Sequence, residues 1–185
     1  NLEIQRCIEY ADYSLKRFFE KVSGMEWFRN SLFVITADHT SEAYYPYYKT
    51  NSGMYAIPII FYDPDTSLRS VKEEIAQQID ILPSTLDYLN YDESFLSFGT
   101  SVFDTSAQRF SINYINDQYQ LIKDNYLLQY SGEKTTGFYN IINDSLLNKD
   151  LTSLKLPEMY QIETFTRAFI QQYNNRLIEN KLRCR

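Results

Sequence analysis

Hydrophobic positions along the chain change their period three times, and each change marks a different kind of element. Ile4, Ile8, Ala11, Leu15, Phe18, Phe19 and Val22 recur at three- and four-residue spacing, while Glu3, Arg6, Glu9, Asp12, Lys16 and Glu20 fall mostly on the other face. That pattern predicts an amphipathic helix over residues 1–23 that packs against a sheet, with Ser23-Gly24 as its stop. The run Leu32-Phe33-Val34-Ile35 then has no alternation and is too short for a helix, which predicts a strand over 32–37 buried on both faces of a parallel sheet. A second strand is expected over 55–62; Pro58 marks an edge, a bulge or that strand's first residues. Val71, Ile75, Ile79 and Leu82 share a face and predict helix over 71–89, divided near Pro83, with Asp80 a candidate cap rather than a catalytic acid.

Beyond residue 105 the period falls to two. Segments 109–116, 119–123, 126–130 and 137–142 are short and separated by Asn116-Asp117, Asp124-Asn125 and a turn over 131–136. Such spacing predicts an antiparallel meander. Ile162, Phe165, Phe169, Ile170, Tyr173, Leu177 and Ile178 restore the helical period over 157–182, and Pro157 suits the first turn of that closing helix. The expected fold class is α/β, a mixed sheet flanked by helices, followed by a small antiparallel meander and a long C-terminal helix.

Composition narrows the function classes. The 185 residues are 44% hydrophobic and 23% charged, enough for one soluble domain with a sizeable core. A net charge of −6 speaks against nucleic acid as a partner. No run approaches the ~20 apolar residues that span a bilayer. The chain starts at Asn1 rather than Met and has no signal peptide, which points to a piece of a longer protein. Cys7 and Cys184 sit near opposite ends; two free thiols are expected rather than a disulfide.

Candidate chemistry gathers at the end of the first strand. In parallel sheets ligands collect at the carboxyl ends of strands, and Asp38 and His39 stand there. A carboxylate with a neutral imidazole suits zinc or manganese. Each residue also has a plain structural reading, Asp38 as a turn cap and His39, the chain's single histidine, as a lone polar group after a strand. The loop that follows is long and carries Tyr44, Tyr45, Tyr47 and Tyr48 among 17 tyrosines in all. Those rings could line a substrate entrance or pack on a neighbour.

Three stretches together carry a family resemblance: Tyr10-Ala11-Asp12-Tyr13-Ser14-Leu15-Lys16-Arg17-Phe18-Phe19, Ser31 through Thr40, and Ile57-Pro58-Ile59-Ile60-Phe61 with Gln78 through Leu86. They resemble the C-terminal part of the sulfatase-like branch of the alkaline phosphatase superfamily, most closely the bacterial lipoteichoic acid synthase group of phosphoglycerol transferases. The resemblance covers residues 1–90 well and thins through the meander. It implies that residues 1–105 are the C-terminal part of a catalytic domain and that 106–185 add a meander and closing helix packed on it. It implies that Asp38 and His39 are two ligands of a divalent metal, manganese or zinc with calcium possible. It places the nucleophile and the remaining ligands upstream, so the chain holds half an active site and is expected to be inactive alone. Cys7 lacks the Cys-x-Pro-x-Arg context of a sulfatase nucleophile. The implied partners are the N-terminal half of the catalytic domain and a phosphoglycerol- or sulfate-ester substrate, with self-association of the exposed piece possible. The implied parent is membrane-anchored with an extracytoplasmic catalytic domain, the piece itself soluble. A sulfatase, a non-catalytic α+β interaction module and an inert relic are the competing readings, in that order.

Overall fold

A computed structural model describes residues 4–40, 42–66 and 68–183. The backbone divides into two compact units, Asn1–Lys72 and Glu73–Arg185.

The first unit begins with α1, Gln5–Val22, which ends where the Ser23 N–H reaches the Phe19 carbonyl at 3.0 Å. Only its C-terminal end packs closely. Phe18 and Phe19 meet Phe33 edge to face, with centroids 6.2 and 5.2 Å apart, and Phe28 and Tyr62 complete the cluster. Val22 and Phe28 are buried, whereas Ile8, Leu15 and Phe18 stay 57%, 41% and 44% exposed.

Strand β1, Phe33–Thr36, pairs antiparallel with β2, Ile59–Tyr62, in the register Phe33↔Tyr62 to Thr36↔Ile59. This corrects the expectation of a doubly buried strand in a parallel sheet. Among the described residues β1 has one strand partner, and its side chains are half-buried at most. An apolar run without alternation says that both faces want cover; it does not say that cover is present. Pro58 stands just before β2, where it breaks no ladder.

The second unit opens without regular secondary structure. The helix expected over 71–89 shrinks to a single turn at Gln78–Asp80 and to α2, Ile81–Tyr88. Gln77 is extended at φ −145°, ψ 164°, and forms a capping box with Asp80 that starts the helical backbone there. Val71, the first residue of the supposed apolar face, is 93% exposed. The box is reinforced from afar. The buried Asp80 carboxylate accepts the Gln77 N–H at 3.0 Å and the Thr100 N–H at 2.8 Å. The Ser84 hydroxyl accepts the Val102 N–H at 2.9 Å. Gly99 is required beside them, since a Cβ there would lie 2.3 Å from the Ile79 carbonyl.

Four antiparallel strands follow: β3, Phe110–Ile115; β4, Gln118–Lys123; β5, Tyr126–Tyr130; and β6, Thr135–Asn140, in that order across the sheet. Asn116 and Asp117 sit at φ 51° and 58°, the left-handed pair that a two-residue hairpin needs. Helix α3, Pro157–Ile178, lies on one face. Phe110, Leu121, Leu128, Tyr130 and Phe138 from the sheet and Met159 and Ile162 from α3 form a buried core. Leu177 and Ile178, the end of the predicted stripe, are 52% and 82% exposed. No helix among the described residues is long and apolar enough to cross a membrane.

Candidate metal centre

The site is built from backbone that β1 delivers and two anchors hold. The Thr36 hydroxyl donates to the Pro58 carbonyl at 2.9 Å, tying the end of β1 to the start of β2. Four residues on, the Thr40 N–H donates to the Met54 carbonyl at 2.8 Å. The turn between them carries Asp38 and His39.

Their geometry is specific. Asp38 Oδ1 accepts the backbone N–H of His39 at 2.8 Å. His39 Nδ1 lies 2.6 Å from the Thr40 carbonyl, and a carbonyl only accepts, so Nδ1 carries the proton. In the neutral ring Nε2 therefore presents its lone pair. Nε2 stands 3.5 Å from Asp38 Oδ2. The His39 N–H first, and the charge of the imidazole when the ring is protonated, hold the Asp38 carboxyl below its ordinary pKa, so it is charged at neutral pH. Both side chains face solvent, Asp38 85% and His39 53% exposed.

This arrangement fits a divalent ion. Two donors each about 2.1 Å from a tetrahedral metal lie about 3.4 Å apart, close to the observed 3.5 Å between Nε2 and Oδ2. The histidine is oriented through its second nitrogen, as metal-bound imidazoles usually are. Among the described residues no third His, Cys, Asp or Glu joins the pair into a cluster able to hold an ion. The Thr40 hydroxyl is buried beside the turn with no partner among the described residues.

Other sequence candidates are placed differently. Asp80 is a structural staple, as above, and burial pushes its carboxyl above the ordinary pKa. Cys7 is exposed on α1; Cys184 lies outside the described residues. Sequence reading missed the Thr40 carbonyl that orients His39 and the Met54 carbonyl that anchors the turn. Both are main-chain atoms, which any residue would supply, so no side-chain signal pointed to them.

Residues 3–91 match the family model described as Sulfatase. No curated protein matches the chain. Among solved structures, a protein in the alkaline phosphatase superfamily from Vibrio parahaemolyticus aligns with TM-score 0.79 at 19% identity, over 96% of this chain and 42% of that one. The protein BT4656, solved in complex with its substrate D-glucosamine-2-N,6-O-disulfate, aligns with TM-score 0.64 at 14% identity, over 89% of this chain and 40% of that one. The chain thus spans about two fifths of the length of the structures it matches. Residues 3–91 are sulfatase-like, and the chain has the mixed α/β fold of the alkaline phosphatase superfamily, with antiparallel sheets and a C-terminal helix. Members of that superfamily generally use divalent metals.

Proposed function

We propose that this chain is the C-terminal part of a metal-dependent phosphoglycerol transferase of the lipoteichoic acid synthase kind, in which Asp38 and His39 are two of the metal's ligands. The observation that carries the reading is the convergence of Asp38 Oδ2 and His39 Nε2, 3.5 Å apart, on a ring whose other nitrogen donates to the Thr40 carbonyl. In the longer protein residues 1–105 complete the catalytic domain and 106–185 form the meander and closing helix. The remaining ligands and the nucleophile come from the segment upstream, and the exposed apolar face of α1 is part of the surface that meets it. The proposed parent is membrane-anchored, with its catalytic domain outside the cytoplasm.

Asp38 and His39 would hold a manganese or zinc ion, which when bound would supply positive charge to a phosphoryl group. Asp38 contributes one negative charge to hold it. His39 contributes a neutral donor, and Thr40 keeps that donor in one tautomer and one orientation. A ring free to turn would lose part of its affinity to conformational entropy; the 2.6 Å bond to the Thr40 carbonyl removes that freedom in advance.

A sulfatase is the second reading, favoured by the family model that matches residues 3–91 and by a structural neighbour whose substrate is a sulfated glucosamine. One experiment addresses both. The protein including its upstream segment is assayed for bound metal and for cleavage of a glycerol phosphodiester and a sulfate monoester, as wild type and as Asp38→Ala and His39→Ala. About one tightly held ion per chain is expected, lost in both variants together with phosphodiester cleavage. Sulfate-ester cleavage alone would replace the first reading by the second. Unchanged metal and activity in both variants would overturn the metal assignment.

A further inference from the structure

The outer strands of the meander lack the side chains that usually guard a sheet edge. Edges are commonly blunted by Lys, other charges or Pro, because their free N–H and C=O groups otherwise template pairing with another chain. β3 reads Phe110-Ser111-Ile112-Asn113-Tyr114-Ile115, and β6 reads Thr135-Thr136-Gly137-Phe138-Tyr139-Asn140. Neither strand carries a charge or a proline. Both are short runs rich in β-branched and aromatic side chains, the composition of segments that pair chain to chain.

Each outer edge is stopped at the backbone instead. On β3 the Ile112 N–H donates to Gln77 Oε1 at 3.1 Å. On β6 the stop is a strap of main chain over residues 150–152. The Phe138 N–H donates to Asp150 Oδ1 at 3.2 Å, and the Phe138 carbonyl accepts the Leu151 N–H at 2.7 Å. Both main-chain groups of Phe138 thus point away from β5, where an added strand would seek them. The strap is itself fixed. Thr152 donates its N–H at 2.9 Å and also its hydroxyl to the same Asp150 Oδ1, which keeps the carboxylate from turning away. Leu151 packs against the core beneath α3. The Lys149 N–H donates to Asp144 Oδ2 at 2.6 Å and closes the loop that leads from β6 to the strap. A connection from β6 to α3 needs no contact with the edge it leaves, yet this one returns along it.

We propose that residues 150–152 are a built-in block on the meander, and that with the strap lifted β6 adds the β6 strand of a second copy, antiparallel, into one continuous sheet. The occupant is a second copy because the opened edge is complementary to itself. Setting Phe138 opposite its own counterpart satisfies, through a two-fold axis, the N–H and C=O that Asp150 and Leu151 hold in the closed form. No charge within either strand opposes that pairing. The block does not rest on the reaction proposed above.

The test uses the protein including its upstream segment. Hydrogen exchange over residues 135–140 and sedimentation velocity are followed from dilute to concentrated protein. The variants are Asp150→Ala, the milder Thr152→Val, Asp150→Asn, which keeps an acceptor oxygen, and Asp150→Ala/Thr136→Lys, which sets a charge on the opened strand at an exposed position. Wild type should show no concentration dependence of exchange at 135–140. In dilute Asp150→Ala the Phe138 amide should exchange about tenfold faster or more. In concentrated Asp150→Ala a dimer should form and protection at 135–140 should return. Asp150→Asn should behave as wild type does. The lysine variant should stay monomeric with the Phe138 amide still fast. Thr152→Val should shift in the same direction by less, and it supplies the criterion if Asp150→Ala loses the native circular dichroism. Unchanged exchange and mass in the variants that keep that spectrum would overturn the block. So would association that leaves 135–140 unprotected or that persists in the lysine variant.

Discussion

The meander with α3 and the layer of α1, β1 and β2 have similar ingredients and opposite outcomes. Each combines strands with an amphipathic helix. In the meander unit Leu121, Leu128 and Phe138 are fully buried, and Met159 and Ile162 from α3 close over them. In the first layer Val22 and Phe28 are the buried hydrophobic side chains, Phe19 is half-buried among rings, and Ile8, Leu15 and Phe18 of the apolar stripe of α1 stay open to solvent. The difference is one of partners. Hairpins bring β3 to β6 together within 31 residues, so a complete face forms locally and one helix suffices to cover it. β1 and β2 are joined across a 22-residue loop and make a sheet of two strands, too small a face to cover the helix that lies on it. The candidate chemistry lies in the open layer, where the function proposed above needs a further segment to complete it.

Core deletions test this contrast most strongly. Phe138→Ala removes a fully buried ring stacked at 4.8 Å on Tyr126, and should cost about 3–5 kcal/mol by urea denaturation. Phe18→Ala removes a ring that is 44% exposed, and should cost about 1 kcal/mol or less. Equal losses would break the comparison. Glycine replacements come next. Gly99→Ala would set a methyl group against the Ile79 carbonyl and the Asp80 carboxylate, at a cost of about 1–3 kcal/mol. Gly24→Ala meets nothing within 4 Å and should be near neutral in the same melts.

Asp80 sharpens the contrast through pH. Burial raises its carboxyl pKa in the folded chain above the ordinary 3.8. The folded state then holds the proton more tightly than the unfolded state. Its contribution is fully present below the unfolded value and is lost as pH rises through the raised one. Asp80→Asn should flatten that decline in a stability–pH series, even though the amide leaves the Gln77 N–H less well satisfied and lowers the whole curve. A slope unchanged by the substitution would remove Asp80 as its source.

The smallest effect on stability is expected on α1. Ile8→Ser and Leu15→Ser alter residues that are 57% and 41% exposed, and should shift stability by about 0.5 kcal/mol or less. Association should respond far more. Sedimentation of the chain alone should show self-association that these substitutions reduce; an unchanged distribution would mean that this face is not the adhesive one.

Much of this was legible along the chain. The three-and-four spacing from Ile4 to Val22, the two-residue period after Arg109 and the stripe from Ile162 to Tyr173 each became the element they predict, because period follows from backbone geometry alone. Val71 to Ile75 misled: apolar residues four apart satisfy a helical pattern by chance, and the Gln77–Asp80 box began the helix later. At the candidate site the sequence named Asp38 and His39 through their place after an apolar run. It could not name Thr40 or Met54, which act through carbonyls.

Sequence by itself determined the first and last helices, the strands of the meander and their hairpin turns, and which two side chains follow β1, since these depend on local sterics and near-neighbour chemistry. Tertiary structure alone decided that β1 runs antiparallel to β2, that one apolar face is buried while another stays open, and that an imidazole nitrogen and a carboxylate oxygen stand 3.5 Å apart. Those outcomes depend on which distant segments meet, and a side chain does not encode what will lie across from it.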